Sequence, residues 1–265
     1  MKKIVYSSLI ASAVLWGCQN GVNERVYQPR TITSGEDFNH YTKDSTEPFT
    51  IVKVQGDNPD LFAVKFRDTL VKIQPSETDK NFVLENFSLT QFVNTQKTAL
   101  LVQQAAEPGL VGPFYLLTVK NDQLEIVSLY RPSTGKEDQK YTQGLIRVGS
   151  QGYLINNDFF LTNVNAKLYE IKRQNPEERI QGEFIVMSPD KKTFVFLTSS
   201  ALYEIHYPSG QAFTQSLPAA APASKGEVFR WIQNNFSWQK NRSGIAFLTS
   251  NADDNRIVDL SEFKR

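Results

Sequence analysis

Three observations in the sequence predict an all-β protein built from a repeated β-hairpin. Short runs rich in β-branched and aromatic residues alternate with polar residues and end at turns of Gly, Pro, Asn and Asp, which is typical of strands. Long amphipathic helical patterns are scarce. A similar hairpin sequence recurs along the chain, and such hairpins bury their apolar faces only by packing against neighbours.

The first seventeen residues have the pattern of a secretory signal. Lys2 and Lys3 precede an uncharged run of apolar or small residues, 4–16. This run is shorter than the roughly 20 apolar residues that a membrane-spanning helix needs. A basic start followed by a short apolar segment is typical of a signal peptide. We therefore predict that residues 1–17 are a signal peptide and do not belong to the fold.

The end of this run is more specific. Leu15-Trp16-Gly17-Cys18 resembles the lipobox of bacterial lipoproteins, although Trp16 stands where a small residue is usual. The resemblance implies a diacylglycerol on the Cys18 sulfur, cleavage after Gly17 and acylation of the new amino terminus. Gln19, where enteric inner-membrane lipoproteins carry aspartate, implies the outer membrane and a periplasm-facing protein. The inner membrane, the cell surface and an ordinary signal peptide remain the alternatives.

Composition narrows the classes of partner. Without Lys2 and Lys3, the 29 lysines and arginines become 27 against 28 acidic residues, so the mature chain of about 248 residues has a net charge near −1. Such a chain lacks the basic footprint of a nucleic-acid-binding protein. Cys18 is the only cysteine, so its acylation leaves no thiol for a disulfide or a zinc site. We predict no metal and no cofactor.

The chain divides into a linker and a folded body. Residues 18–48 are polar, poor in periodic hydrophobic residues and interrupted by Gly and Pro, which predicts a flexible tether. Residues 49–265 are predicted as one β domain, with a Pro/Ala-rich loop at 217–226. Two short helices are possible, at 89–94 and 227–234, and neither exceeds about two turns.

The repeat determines the predicted architecture. Each copy is an apolar strand ending near Leu-Thr, a polar turn, and a second strand with Leu-x-Glu-Ile or Leu-Tyr-Glu-Ile. Strong copies begin at Phe114, Phe159 and Phe194, and weaker copies begin at Leu61 and Ile245. The starts lie 35 to 53 residues apart, which is near the length of a four-stranded propeller blade. We predict an irregular β-propeller-like domain of about five or six small blades, with a β-sandwich as the alternative.

One copy carries a more specific turn. Ser188-Pro189-Asp190-Lys191-Lys192 resembles the Ser-Pro-Asp-Gly-Lys turn of WD-type and TolB-type propeller repeats, in which a strand, a turn and a Leu-Tyr strand follow. Lys191 replaces the usual glycine, so this turn must accept a side chain. Proline and aspartate favour a tight turn by their own chemistry. The resemblance therefore implies a fold and carries no catalytic role.

No catalytic or metal-binding constellation emerges. The two histidines, His40 and His206, are far apart and no Gly-x-Ser-x-Gly elbow accompanies them. Glu125, Glu170 and Glu204 occupy equivalent repeat positions, which we interpret as solvent-facing. The segments 156–160 (NNDFF) and 251–255 (NADDN) offer oxygen atoms, but they lack calcium-loop spacing and are interpreted as solvated turns.

Aromatic residues are the remaining candidates for a site. Phe229, Trp231, Phe236 and Trp238 cluster after the Pro/Ala-rich loop. If they were exposed they would form a protein-contact surface, because aromatic residues are enriched at binding hot spots. If buried, they would close the core, and this second interpretation is preferred.

The sequence thus predicts a non-enzymatic, lipid-anchored module that binds another envelope protein or serves as a scaffold. It resembles in outline the propeller lipoproteins of envelope assembly, although it is smaller. Two alternatives remain: an immunity protein that neutralises a periplasmic toxin of a type VI secretion system, and a carbohydrate-active enzyme on a propeller.

Overall fold

The computed structural model describes residues 23–40, 47–55, 60–75, 83–107, 109–134, 142–217, 222 and 224–251. Within these residues the fold is all-β, as predicted, with nineteen strands and one helix. The first strands are β1 (Glu24–Tyr27), β2 (Glu36–Asp37), β3 (Phe49–Lys53), β4 (Phe62–Phe66), β5 (Thr69–Ile73), β6 (Phe87–Phe92), β7 (Ala99–Gln104), β8 (Phe114–Lys120) and β9 (Gln123–Ser128).

The second half of the chain contains the remaining elements. They are β10 (Leu145–Val148), β11 (Gly152–Ile155), β12 (Phe159–Thr162), β13 (Lys167–Glu170), β14 (Glu183–Met187), β15 (Thr193–Leu197), β16 (Ala201–His206), β17 (Gln211–Ser216), α1 (Lys225–Asn235), β18 (Phe236–Lys240) and β19 (Ala246–Ser250).

The strands form five successive layers, numbered here in chain order. The first layer is β3–β5 with β1, the second is β6–β9, the third is β10–β13 with β2, the fourth is β14–β17, and the fifth is the β18–β19 hairpin with α1. The second, third and fourth layers each contain a four-stranded antiparallel meander. The first two belong to one eight-stranded sheet, joined where Phe62 of β4 pairs with Phe87 of β6.

Among the described residues, four hydrophobic cores lie between the layers. The first core joins layers one and two, the second joins two and three, the third joins three and four, and the fourth joins four and five. Strand β8 shows the consequence: Tyr115 and Leu117 lie in the first core, whereas Phe114 and Leu116 lie in the second. A strand that is buried on both faces must be continuously apolar, which explains the sequence FYLLTV.

The segments that carry the repeated pattern form antiparallel hairpins. The copies from Phe114, Phe159 and Phe194 form the antiparallel pairs β8–β9, β12–β13 and β15–β16, and the copy from Leu61 forms β4–β5. The copy from Ile245 supplies β19, and its remainder lies outside the described residues. Lys191 of the Ser-Pro-Asp turn has a φ of +61°, the left-handed conformation that glycine favours.

Two predicted elements need correction. The helix expected at 89–94 is wrong, because 87–92 form β6, a strand between β4 and β7. The second expected helix is present as α1. The flexible tether expected over 18–48 does not hold for residues 23–40, which we call the strap.

The strap lies along the edges of three layers. Strand β1 pairs in parallel with β5, Arg30 forms a parallel bridge with Val127 of β9, and β2 pairs with β13. Phe38 is buried in the second core. Because the strap's polar side chains face solvent while its backbone pairs with edge strands, its sequence lacks the periodicity that identifies a strand. It covers edges that would otherwise be open to pairing with other chains.

Candidate functional site

The aromatic residues proposed as a contact surface are largely part of the core. Phe236 is buried in the fourth core, and Trp231 and Trp238 pack against that core. The rings of Trp231 and Phe236 meet edge to face with centroids 5.1 Å apart. Phe229 alone among the four is exposed, at 38%. The cluster therefore holds α1 and β18 against the fourth layer.

The three repeated glutamates have different environments. Glu125 forms an ion pair with Arg30 of the strap at 3.2 Å, and Glu170 forms one with Arg131 at 3.1 Å. The prediction that all three face solvent is wrong for Glu204, which is buried on β16.

Glu204 connects the fourth layer to the fifth. The Leu248 N–H of β19 donates to Glu204 Oε2 at 2.8 Å, and Thr193 Oγ1 donates to the Ala246 carbonyl, also at 2.8 Å. Two buried side chains of the fourth layer thus satisfy backbone groups at the edge of β19. Burial raises the pKa of Glu204 to about 8, and the Leu248 hydrogen bond opposes this only in part. The carboxyl group is protonated at neutral pH.

His206 is the last residue of β16 and stands at the start of the β16–β17 turn. Its Nδ1 lies 2.7 Å from Ser209 Oγ in the β16–β17 turn. Burial lowers the pKa of His206, with Lys192 acting in the same direction and Asp190 opposing it. Asp190 itself accepts from Ser188 Oγ at 2.5 Å and from the Lys192 N–H. These bonds shape the two neighbouring turns of the WD-like copy.

A buried ionic cluster was missed by the sequence analysis. Asp158 of the NNDFF segment accepts from Arg173 Nε at 2.8 Å and from Arg179 Nε at 2.9 Å. All three side chains are buried, so the interpretation of NNDFF as a solvated turn is wrong. Arg173 also donates to the carbonyls of Arg131 and Pro132. The cluster thus fixes the 130–134 segment and the β13–β14 connection to the third layer.

A cleft of about 310 Å³ lies beside the β4–β6 junction. We call it the junction cleft. Its lining is a mixture of apolar side chains and neutral or acidic polar ones: Asp60, Leu61, Ser88, Gln103, Gln104, Ala105, Ala106, Leu110 and Gly112. Leu110 is 48% exposed. Such a volume is at the lower end of those that hold small ligands or short peptide segments.

Irregular backbone creates the junction cleft. The pairing of β6 with β7 shifts register between Phe87 and Leu89, and such a bulge bends the strand. Ser88 Oγ donates to the Gln104 carbonyl at 3.2 Å. Across the cleft the chain passes so close that a Cβ on Gly112 would lie 2.1 Å from the Gln104 carbonyl oxygen. Only glycine fits there.

Two kinds of feature are absent from the described ranges. No group of three or more His, Cys, Asp or Glu residues there is arranged to hold a metal ion. No helix among them has the length and apolarity to cross a membrane. Cys18 and its lipobox, the NADDN segment beyond Asn251, and the end of the Ile245 copy lie outside these ranges.

Comparison with known proteins gives no relative. No protein-family model, no curated protein and no solved structure matches this chain. Its function is therefore inferred from its own residues.

Proposed function

We propose that this protein is a lipoprotein of the bacterial outer membrane that faces the periplasm and binds another protein without catalysing a reaction. One observation carries the proposal: the only cysteine, Cys18, follows Leu15-Trp16-Gly17 at the end of a short apolar run. A thioether-linked diacylglycerol together with an amide-linked acyl chain gives Cys18 more than one chain. Two or more chains anchor a protein stably, since each buried methylene contributes about 0.8 kcal/mol.

The absence of catalysis is supported by the partners of three titratable groups. Asp158 is held by two arginines, Glu204 by the Leu248 N–H, and His206 contacts Ser209. Each of them serves a turn or a junction between layers, and none lines the junction cleft. Perturbed pKa values often mark active sites, but structural networks perturb them too. Here Glu204 and His206, whose pKa values are shifted, both have structural partners.

The junction cleft is the surface that we propose for the partner. It combines the exposed side chain of Leu110 and the partly exposed side chain of Leu61 with the amides of Gln103 and Gln104. Protein contacts need an apolar anchor surrounded by polar groups. A loop or terminal segment of an envelope protein, inserting one apolar side chain, fits this combination.

We further propose that the layers are the blades of an irregular propeller. The meanders β6–β9, β10–β13 and β14–β17 follow one another in chain order, and each packs on the next through a shared core. The Ser-Pro-Asp turn precedes β15 of the fourth layer, as it does in WD-type repeats. In a sandwich, by contrast, two sheets would share one core.

Lipidation is tested by metabolic labelling. Cells that express the full chain with radioactive palmitate should yield a labelled protein in the outer-membrane fraction, and the Cys18→Ala variant should carry no label. Label in inner-membrane fractions alone would contradict the sorting. An unlabelled wild-type protein would overturn the proposed anchor.

Partner binding is tested by photo-crosslinking in cells. A photoreactive amino acid at position 110 should capture a discrete protein, whereas the same amino acid at position 164, where Val164 is 69% exposed on another layer, should not. Mass spectrometry then identifies the captured protein. Capture of a secreted toxin would assign the immunity role, and equal capture from both positions would exclude the junction cleft as the site.

A further inference from the structure

The strap pairs first with β5 of the first layer, then with β9 of the second, and then returns along β13 of the third. It starts at Asn23, whose carbonyl accepts from the Leu70 N–H at the start of β5. It passes Val127 near the end of β9, where the Arg30 N–H donates to the Ile126 carbonyl. It returns along β13 and brings Asn39 to Asn94 in the β6–β7 turn.

Both ends of the strap lie at one end of the first two layers. We call it the turn end, and it is formed by the β4–β5, β6–β7 and β8–β9 turns at 67–68, 93–98 and 121–122. Arg67 contacts Asp122, so the first and third of these turns are adjacent. Ala99 pairs with Thr118, which places the second turn beside the third.

The junction cleft lies at the opposite end of the same strands. Gln103 and Gln104 end β7. Ser88 is the second residue of β6 and lies at the register shift opposite Gln103 and Gln104. A six-residue strand such as β7 is about 20 Å long. The cleft and the turn end are therefore separated by roughly one strand length.

The covalent chain limits how far the turn end can move from a lipid on Cys18. Five residue intervals join Cys18 to Asn23, and they span at most about 18 Å. A tether of residues 18–48 would have spanned about 100 Å. The pairing of β1 with β5 removes most of that reach, because the strap is fixed to the body from its first described residues.

We propose that the turn end lies against the bilayer and that the junction cleft opens away from it, toward the periplasm. This inference rests on the proposed lipidation of Cys18. Four charged side chains at the turn end form two opposite-sign pairs, Arg67 with Asp122 and Lys97 with Glu47. Asp68 lies there as well. A surface of paired charges suits zwitterionic headgroups such as phosphatidylethanolamine, since it has no large net charge to attract or repel an anionic membrane.

The orientation is tested by energy transfer to the membrane. An azide-bearing amino acid replaces Asp68 at the turn end or Glu107 at the cleft end, both exposed, and a fluorophore is attached to it. The lipidated protein is placed in phosphatidylethanolamine-rich vesicles whose headgroups carry an acceptor. We expect severalfold more efficient transfer from position 68 than from position 107. Equal transfer, or more transfer from position 107, would overturn the orientation.

A linker variant shows whether the short connection causes the orientation. Twenty Gly/Ser residues between Gly21 and Val22 add a coil of about 25 Å root-mean-square length. The difference between the two positions should then largely disappear. A difference that persists unchanged would show that the connection does not set the orientation, and that part of the proposal would fail.

A separate experiment tests the orientation independently of whether the cell acylates Cys18. Palmitate labelling reports acylation by the cell and does not depend on orientation. If the cell does not acylate Cys18, residues 18–265 are coupled through their single thiol to a maleimide lipid and placed on the same vesicles. Greater transfer from position 68 supports the orientation even then, and equal transfer contradicts it.

Discussion

At the scale of single residues, a buried carboxyl group links stability to pH. The folded protein raises the pKa of Glu204 from 4.5 to about 8. Between these values the folded chain keeps a proton that the unfolded chain releases. The free energy of unfolding contributed by Glu204 is therefore complete below about pH 4.5 and decreases as pH rises to about 8, by at most about 1.4 kcal/mol per pH unit.

The Glu204→Gln variant tests this dependence. Glutamine keeps an oxygen for the Leu248 N–H and cannot ionise, so the variant should gain stability relative to wild type as pH rises from 5 to 8. Urea unfolding at several pH values measures the difference, in which other titrating groups such as His206 cancel. A constant difference at all pH values would contradict the raised pKa.

The buried ionic cluster makes a second prediction at this scale. Asp158→Asn leaves Arg173 and Arg179 buried without their counter-charge, which should cost about 3–5 kcal/mol of unfolding free energy. Asp122→Asn removes one partner of an exposed pair with Arg67 and should cost under about 1 kcal/mol. Chemical denaturation of both variants provides the comparison. Similar costs would mean that the cluster is solvated.

Neither buried group could be found from the sequence. Glu204 occupies the same repeat position as the partly exposed Glu125, and its partner Leu248 is 44 residues away. Asp158 follows two asparagines, a composition typical of turns, and the turn is indeed present. Its burial comes from Arg173 and Arg179, which lie on the β13–β14 connection. Local sequence specifies the turn, whereas distant residues determine whether it is solvated.

At the scale of elements, the strap is predicted to be part of the folded core. Phe38→Ala removes a buried ring from the second core and should cost about 3–5 kcal/mol. Val26→Ala, on an exposed position of the same strap, should change stability by no more than about 0.5 kcal/mol. Thermal or urea unfolding measures both. A neutral Phe38→Ala would indicate that the strap does not contribute to stability.

Hairpins could be predicted and edge strands could not. In β8, β12 and β15, apolar runs with a turn and a second apolar run carry all the information that a hairpin needs. Strand β1 exposes three of its four side chains and β2 exposes one of its two, so they lack a hydrophobic pattern. The spacing of residues 89–94 resembles a helical turn, but their backbone pairs with β7. Pairing with partners distant in sequence decides such segments.

At the scale of the whole molecule, the layers form a series. Each of the four cores joins two consecutive layers, and none of those in the described residues contains side chains from both the first and the fifth layer. In a closed propeller the last blade packs on the first. The described residues thus fit an open series of layers, for which stability is approximately a sum of layers and nearest-neighbour interfaces.

Because each core joins only neighbouring layers, we predict that a substitution in one core destabilises only the layers next to that core. Ile232 of α1 is buried in the fourth core, so Ile232→Ala should cost about 2–5 kcal/mol. Hydrogen exchange measured by mass spectrometry should show lost protection in α1, β18 and β19, a smaller loss in the fourth layer, and none in β3–β5.

The matched variant is Leu100→Ala in the first core, which should reverse this pattern, with losses in β3–β9 and none in β18–β19. The two variants remove the same kind of side chain from opposite ends of the series, so a difference in location cannot reflect the size of the cavity. Uniform loss of protection in both variants would mean that the molecule opens as one unit. In that case the first and fifth layers must be coupled, as they are in a closed ring.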